Sequence, residues 1–299
     1  MDTGSAIVNA MSVDVEDYFH VAALASSIDR GQWDTMEYRA EASTRRLLDL
    51  FDQRGVRATF FVLGWVARRS PQLVREIHAR GHEVASHGMS HELVFQQTPK
   101  VFRAETAEAK QLLEDTIGAP ILGYRASTYS ITRASLWALD ILHDLGFAYD
   151  SSIFPVRHDV YGIPDAAPVP SLIETPLGSR IVEFPMSATP VLGFRVPISG
   201  GGYFRLFPYG FTRWGLRKLN RALRRPFIFY VHPWEVDPDQ PRVRTRLKSA
   251  FRHYTNLGRT AARLGRLTEE FRFAPVRDVL LSQNLLVVDG GAWRAAPVV

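Results

Sequence analysis

The sequence predicts an α/β fold assembled from parallel βαβ units, and three observations predict it. Apolar runs of strand length alternate with segments of helical periodicity as far as about residue 150. The helical segments carry punctuation, with serine and proline at a start and glycine at a close. The apolar runs end in reactive polar residues, as parallel strands do where their C-terminal ends open on one face. Such units either close into a barrel or lie open as a doubly wound sheet.

The elements follow in order. "AIVNAMSVDV" is the first strand and ends in the acids Asp14, Glu16 and Asp17. "EASTRRLLDLFDQRG" has helical spacing at Leu47, Leu48, Leu50 and Phe51, and Gly55 closes it. "RATFFVLGW" is a buried strand. "SPQLVREIHARG" is a helix with Ser70 as N-cap, Pro71 in the first turn and Gly81 past its end. "HEVASH", "ILGYRAS" and "FAYDSS" are further strands, separated by the helices "KVFRAETAEAKQLLEDTIG" and "TRASLWALDILHDLG". From Ser152 to Phe211, proline and glycine become frequent, and short alternating runs such as "RIVEFPMS" predict inserted hairpins and loops. A helix, "TRWGLRKLNRALRR", leads to the apolar run "PFIFYVHPWEV". A basic helical stretch and a short tail follow Pro241. The expected division is a main domain, 1–240, with an extension, 241–299, packed on it.

Composition sets limits. The 299 residues are 46% hydrophobic and 22% charged, an ordinary globular balance. There is no cysteine, so disulfides, thiolate metal sites and cysteine nucleophiles are excluded. No run approaches the roughly 18 apolar residues of a membrane span. The N-terminus lacks the basic-then-apolar layout of a secretion signal, so a cytoplasmic location is expected. The net charge is +5, concentrated in runs such as Arg213 to Arg225 and Arg242 to Arg252. These read as solvated helix faces. No base-stacking motif accompanies them, so no nucleic-acid partner is expected.

The candidate chemistry lies at the strand ends. Asp14 and Glu16 point to one side of a strand, because side chains alternate. Clustered carboxylates there need a cation or an arginine unless they are solvated loop acids. His87 and His91 stand at i and i+4, so their imidazoles converge on one metal if the segment turns helically. Arg125, Asp150 and His232 end three further strands. Chance placement of all five features on one face is improbable, which favours a metal role for the histidine pair. His20, His78, His82, His143, His158 and His253 are scattered and read as structural or solvent-facing.

On these residues the chain resembles the polysaccharide deacetylases, the NodB-homology group known as carbohydrate esterase family 4. "ATFFVLGW", "GHEVASHGMSH", "GYRAS", "YDSS" and "YVHPWE" occur in the family's order between Ile7 and Pro238. "SVDVEDYFH", "GGGYFRLFP" and the C-terminal extension are most similar to the exopolysaccharide- and exosortase-associated subgroup. That subgroup is related to a branch containing a peptidoglycan deacetylase and a metal-independent allantoinase. The resemblance implies a distorted, incomplete (β/α) barrel of about seven parallel strands, with hairpin insertions and a C-terminal helical extension. It also implies a divalent metal, zinc first, with cobalt, nickel or manganese as alternatives.

Residue by residue, it makes His87 and His91 metal ligands and Asp14 the catalytic base. Either Glu16 or Asp17 becomes the third ligand, with Glu16 preferred. Arg125 becomes the partner of the base, His232 the general acid, and Asp150 the carboxylate orienting His232. Tyr129 is placed where a backbone N–H serves an oxyanion hole, although a proline usual near Ser127 is missing. Trp234 and Tyr18 are candidates for stacking on a sugar. The implied reaction is metal-dependent N-deacetylation of an amino sugar in an exopolysaccharide or cell-wall glycan. The alternatives are an allantoinase-like hydrolase of small amides and a catalytically silent glycan- or polyanion-binding module. An enzyme of this kind would act on lipid-linked or nascent glycan at the inner membrane face, aided by peripheral association through the basic C-terminal helix.

Overall fold

The structure, a computed structural model, describes residues 7–296. The chain runs β1 (Val8–Val15), α1 (Ala40–Arg54), β2 (Thr59–Val62), α2 (Gly64–Arg69), α3 (Pro71–Ala79), β3 (Glu83–Ser86), α4 (Pro99–Ile117), β4 (Gly123–Tyr124), α5 (Trp137–Asp144) and β5 (Tyr149–Asp150). The second half adds β6 (Ser171–Glu174), β7 (Arg180–Glu183), β8 (Ala188–Val191), β9 (Phe194–Pro197), α6 (Gly201–Leu206), α7 (Tyr209–Arg217) and β10 (Ile228–Val231). It ends with α8 (Leu247–Tyr254), α9 (Leu257–Glu270), β11 (Arg272–Ala274), α10 (Val276–Ser282) and the hairpin β12 (Leu286–Asp289) and β13 (Ala292–Ala295).

The central sheet has the order β10-β1-β2-β3-β4-β5-β7, every neighbouring pair parallel, with β6 antiparallel on the far edge. This is the mixed α/β fold expected, with seven parallel strands on that path. β2, β3 and β10 are buried along their whole length, which is why β2 and β10 lie in strongly apolar runs. The helices cover the outside. α1 buries Leu47, Leu48 and Phe51 against the sheet, each side chain worth about 1.5–3 kcal/mol of transfer free energy.

Two local features differ from the sequence expectation. "RIVE" is part of a hairpin with β6, yet it also pairs in parallel with β5 and so belongs to the main sheet. Within the C-terminal segment, β11 joins the N-terminal half of β1, below β2.

The sheet does not close by a ladder. Between β7 and β10 the gap is spanned by single contacts: Ile228 N–H donates to Ser187 Oγ (3.0 Å) and Tyr230 N–H to the Ser199 carbonyl (2.9 Å). Ser199 Oγ in turn donates to the Ser187 carbonyl (2.6 Å). Here the "GGGYF" segment passes directly against β10. Gly200 and Gly201 both have positive φ, and a Cβ on either would collide with Tyr230. The barrel is therefore distorted and stitched rather than continuous. Among the described residues, no helix is long and apolar enough to cross a membrane.

Candidate metal and acid–base site

Where the C-terminal ends of β1, β3, β4 and β10 meet, an open pocket of about 360 Å³ is lined by Asp14, Glu16, His87, His91, His232 and Trp234, among others. The strand register brings these groups together. Ser12 to Val15 pair with Thr59 to Val62, Val62 pairs with Ser86, and Ser86 with Tyr124, so the residues just beyond each strand share one rim.

Arg125 is fully buried and holds Asp14 in place. Its Nη1 donates to Asp14 Oδ1 (2.6 Å) and Ser12 Oγ (2.8 Å), and its Nε and Nη2 reach the Ser151 carbonyl and hydroxyl. The guanidinium lies over the Phe61 ring, 4.0 Å from its centroid. The guanidinium thus gives the buried Asp14 a charged hydrogen-bond partner in place of solvent.

Glu16, His87 and His91 offer one ligand atom each, all within 4.8 Å of one another. His87 Nδ1 donates to the Arg125 carbonyl (2.8 Å), which leaves Nε2 as the lone-pair nitrogen. Burial pulls the His87 pKa down to about 4, so the ring is neutral at pH 7, as a ligand must be. Burial pushes Glu16 upward, but His91, His232 and His87 outweigh it and hold the carboxyl well below its usual range. Glu16 Oε2 is buried and accepts no hydrogen bond, although His91 Nε2 lies 2.5 Å away. An orphaned carboxylate oxygen beside two imidazoles is the donor set of a divalent cation, and the residues fit one.

The histidine pair does not converge through a helical turn, as the i, i+4 spacing suggested. The segment is a loop in which Gly88 and His91 both have positive φ, 76° and 57°. A non-glycine residue in that region is held only when its surroundings demand it. The loop is pinned by the Gly64 and Trp65 N–H groups, which donate to the Gly88 and Met89 carbonyls.

His232 faces Asp14 across the pocket, its Nε2 3.8 Å from Asp14 Oδ2 and 3.6 Å from Glu16 Oε1. Burial lowers its pKa, but Glu235, Glu16 and Asp14 raise it further, to about 9. The imidazole is thus held cationic.

Several assignments carried over from the sequence need correction. Asp150 does not touch His232. It accepts from Ser152 Oγ (2.6 Å) and Ser152 N–H (3.1 Å) and lies opposite Glu183 in the β5–β7 register. Burial pushes both carboxyls upward within the wall of the sheet, Glu183 the further of the two because Asp150 stands beside it. The carboxylate on His232 Nδ1 is Glu235, at 3.0 Å, clamped on its other oxygen by Arg205 (2.6 Å). Its signal was present in the sequence: an acid three residues after a strand-end residue is a capping box, and Glu235 Oε2 does accept the His232 N–H.

Asp17 turns away from the histidines. It accepts from the N–H groups of Tyr18 (2.8 Å), Arg39 (2.6 Å) and Ala40 (2.6 Å), capping the following turn and tying in the start of α1. Tyr129 N–H donates to the Ala126 carbonyl (3.1 Å), so it is already engaged; it follows Thr128, and both have positive φ.

Neither stacking candidate offers a free ring. Tyr18 is buried in a cluster with Phe19, Leu24 and Trp33. Trp234 lines the pocket, but its ring stacks with His232 (5.2 Å) and His253 (4.4 Å), lies under Arg205, and donates Nε1–H to Glu16 (3.2 Å). His158, read as scattered, lines the outer pocket and stacks on Tyr161 at 3.8 Å. Arg205 had no signal in its own neighbourhood.

Residues 23–149 match the family model described as polysaccharide deacetylase, and residues 151–281 match a domain of unknown function, DUF3473. The two meet inside the central sheet. His87, His91 and Arg125 lie in the first match, His232, Glu235 and Arg205 in the second, and Asp14 and Glu16 precede both. Among curated proteins, the chain is 31% identical over 99 residues to a chitooligosaccharide deacetylase of Bradyrhizobium sp. (strain ANU 289), covering 33% of this chain and 43% of that protein. It is 29% identical over 116 residues to a peptidoglycan deacetylase of Helicobacter pylori, covering 39% of each. The chain thus spans less than half the length of these relatives.

Among solved structures, the PuuE allantoinase superposes with a TM-score of 0.60 at 17% identity, covering 92% of this chain and 90% of that one. The peptidoglycan deacetylase PdaC of Bacillus subtilis gives 0.50 at 13% identity, covering 93% and 92%. At these identities the structural likeness speaks for the fold. The matches therefore give a polysaccharide deacetylase domain over residues 23–149 and a DUF3473 domain over residues 151–281.

Proposed function

We propose that the protein hydrolyses the N-acetyl group of an amino sugar within a glycan, giving acetate and the free amine. The observation that carries this reading is one pocket in which Asp14, fixed by Arg125, and His232, fixed by Glu235, face each other at 3.8 Å beside the Glu16, His87 and His91 triad. The curated relatives are named for chitooligosaccharide and peptidoglycan, which supports an exopolysaccharide or cell-wall glycan as substrate. The catalytic groups all lie within residues 1–240, while residues 241–299 pack on that unit, add β11 to its sheet and contribute Ser249 and Arg252 to the pocket wall.

An acetamide is a weak electrophile and its amine a poor leaving group, so the reaction needs a base, an acid and stabilisation of charge on the acetyl oxygen. Glu16, His87 and His91 would hold a divalent cation, zinc first, which when bound supplies Lewis-acid polarisation. Asp14 takes the proton of the attacking water. Arg125 holds one Asp14 oxygen and aims the other into the pocket. As the C–N bond breaks, the His232 imidazolium gives its Nε2 proton to the departing nitrogen, while Glu235 holds Nδ1 and the ring angle.

Acetate release from a panel of N-acetylated oligosaccharides tests the reading, using protein stripped of metal and then given zinc or cobalt. Release that depends on added metal is expected. Failure to bind any metal would overturn the ligand assignment, and release that survives complete stripping would favour the allantoinase-like chemistry. Glycan binding with no release from any substrate would favour a silent binding module.

A further inference from the structure

The hairpin of β8 and β9 ends in a two-residue turn, Leu192-Gly193, between the paired residues Val191 and Phe194. Both turn residues have positive φ, 47° and 83°, which defines a type I′ turn. That geometry favours asparagine, aspartate or glycine first; a leucine there is strained. The strain does not serve packing, since Leu192 is 94% exposed and Phe194 beside it 76% exposed. A large apolar residue held at a strained turn tip, in water, conflicts with both local propensity and burial.

The surroundings say what covers it. α7 lies against the hairpin, with Gly215 backed onto Thr189 and Ile198. Lys218 donates to the Pro190 carbonyl (2.7 Å) and lies over Trp214, itself 46% exposed. Just beyond, Arg221 and Arg224 are exposed and enter no ion pair among the described residues. From Phe184 to Trp234 the sequence has no aspartate or glutamate, but it has eight arginines and lysines. An apolar tip, a flanking tryptophan and unopposed cations match an anionic bilayer surface: acyl chains for the tip, headgroups for the charges.

We propose that this hairpin tip and the adjoining basic helix dock the protein on an anionic lipid membrane. The C-terminal helix α8 also exposes an apolar pair, Leu247 and Phe251, but its backbone is ordinary helix and its Ser249 and Arg252 line the catalytic pocket. The inference does not rest on the proposed chemistry, because docking is read without turnover.

The test is flotation of the full chain with phosphatidylcholine vesicles, with and without phosphatidylglycerol. Binding to the anionic vesicles, weakened by salt, is expected. Leu192→Asn combined with Phe194→Ser should reduce it by about tenfold or more. Leu192→Asn alone should raise the melting temperature, since it relieves the turn, so loss of binding cannot be blamed on unfolding. The proposal is overturned if the wild-type chain stays off anionic vesicles, or if the double variant floats as well as wild type. It is also overturned if only Leu247→Ser with Phe251→Ser loses binding, or if the hairpin variant changes the oligomeric state of a chain that never binds lipid.

Discussion

Glu235 Oε2 lies 3.0 Å from His232 Nδ1 and also accepts the His232 backbone N–H at 3.0 Å, so one carboxylate oxygen fixes both the ring and the chain that carries it. Arg205 holds the other oxygen, and with His232 it keeps Glu235 at a pKa of about 2 against the upward push of burial.

Glu235→Gln should therefore reduce kcat on the order of 10²-fold with little change in KM. It should also move the alkaline limb of the pH–rate profile to lower pH, since the acid loses the charge that keeps it protonated. Asp150→Asn should leave that limb in place. Profiles of both variants check this, and a shift in Asp150→Asn without one in Glu235→Gln would return the orienting role to Asp150.

In the metal-free protein, His232 is raised from 6.5 to about 9. A raised base stabilises the fold while it binds its proton. That contribution is complete below about pH 6.5 and is lost as pH rises through about 9. An NMR titration of the His232 ring in metal-free protein measures the value directly, and a midpoint below 7 would refute it.

Glu16→Gln should abolish the rise in melting temperature on adding zinc or cobalt to stripped protein. Asp17→Ala should leave that rise intact while lowering stability by about 1–2 kcal/mol, as loss of a cap does. Differential scanning fluorimetry with a metal titration separates the two. The opposite pattern would make Asp17 the ligand.

Arg125→Met leaves Asp14 buried without its cation. The expected cost is about 3–5 kcal/mol of stability, in addition to lost turnover. Urea denaturation gives the number. A cost below about 1 kcal/mol would mean that water reaches Asp14 and that the ion pair is not dry.

Much of this site was legible because parallel strands place whatever follows them on one rim. His87, Arg125 and His232 each follow a buried strand, and the register sets those strand ends on one rim. What could not be read was direction. At the end of β1 the alternation stops, since Glu16 N–H donates to the Asp14 carbonyl in a tight turn. Strand parity therefore no longer separates Glu16 from Asp17. Asp150 ends a strand as His232 does, but its side chain enters the sheet wall toward Glu183, a contact made across a sequence separation that no local pattern encodes. β11, three residues long, is too short to show periodicity. Tyr18 and Trp234 have the composition of a sugar platform, and only packing shows that neighbours already cover them.

The stitched gap between β7 and β10 bears on solubility. In hydrogen-bonding terms β10 is an edge strand, and an apolar one, which is the kind that recruits other chains into a growing sheet. Ser187, Ser199 and the glycines against Tyr230 occupy its outward N–H groups without forming a strand that could itself be extended. The patch acts as a blunting device, and the same few contacts that let the barrel stay incomplete keep the strand carrying His232 from becoming a template for aggregation.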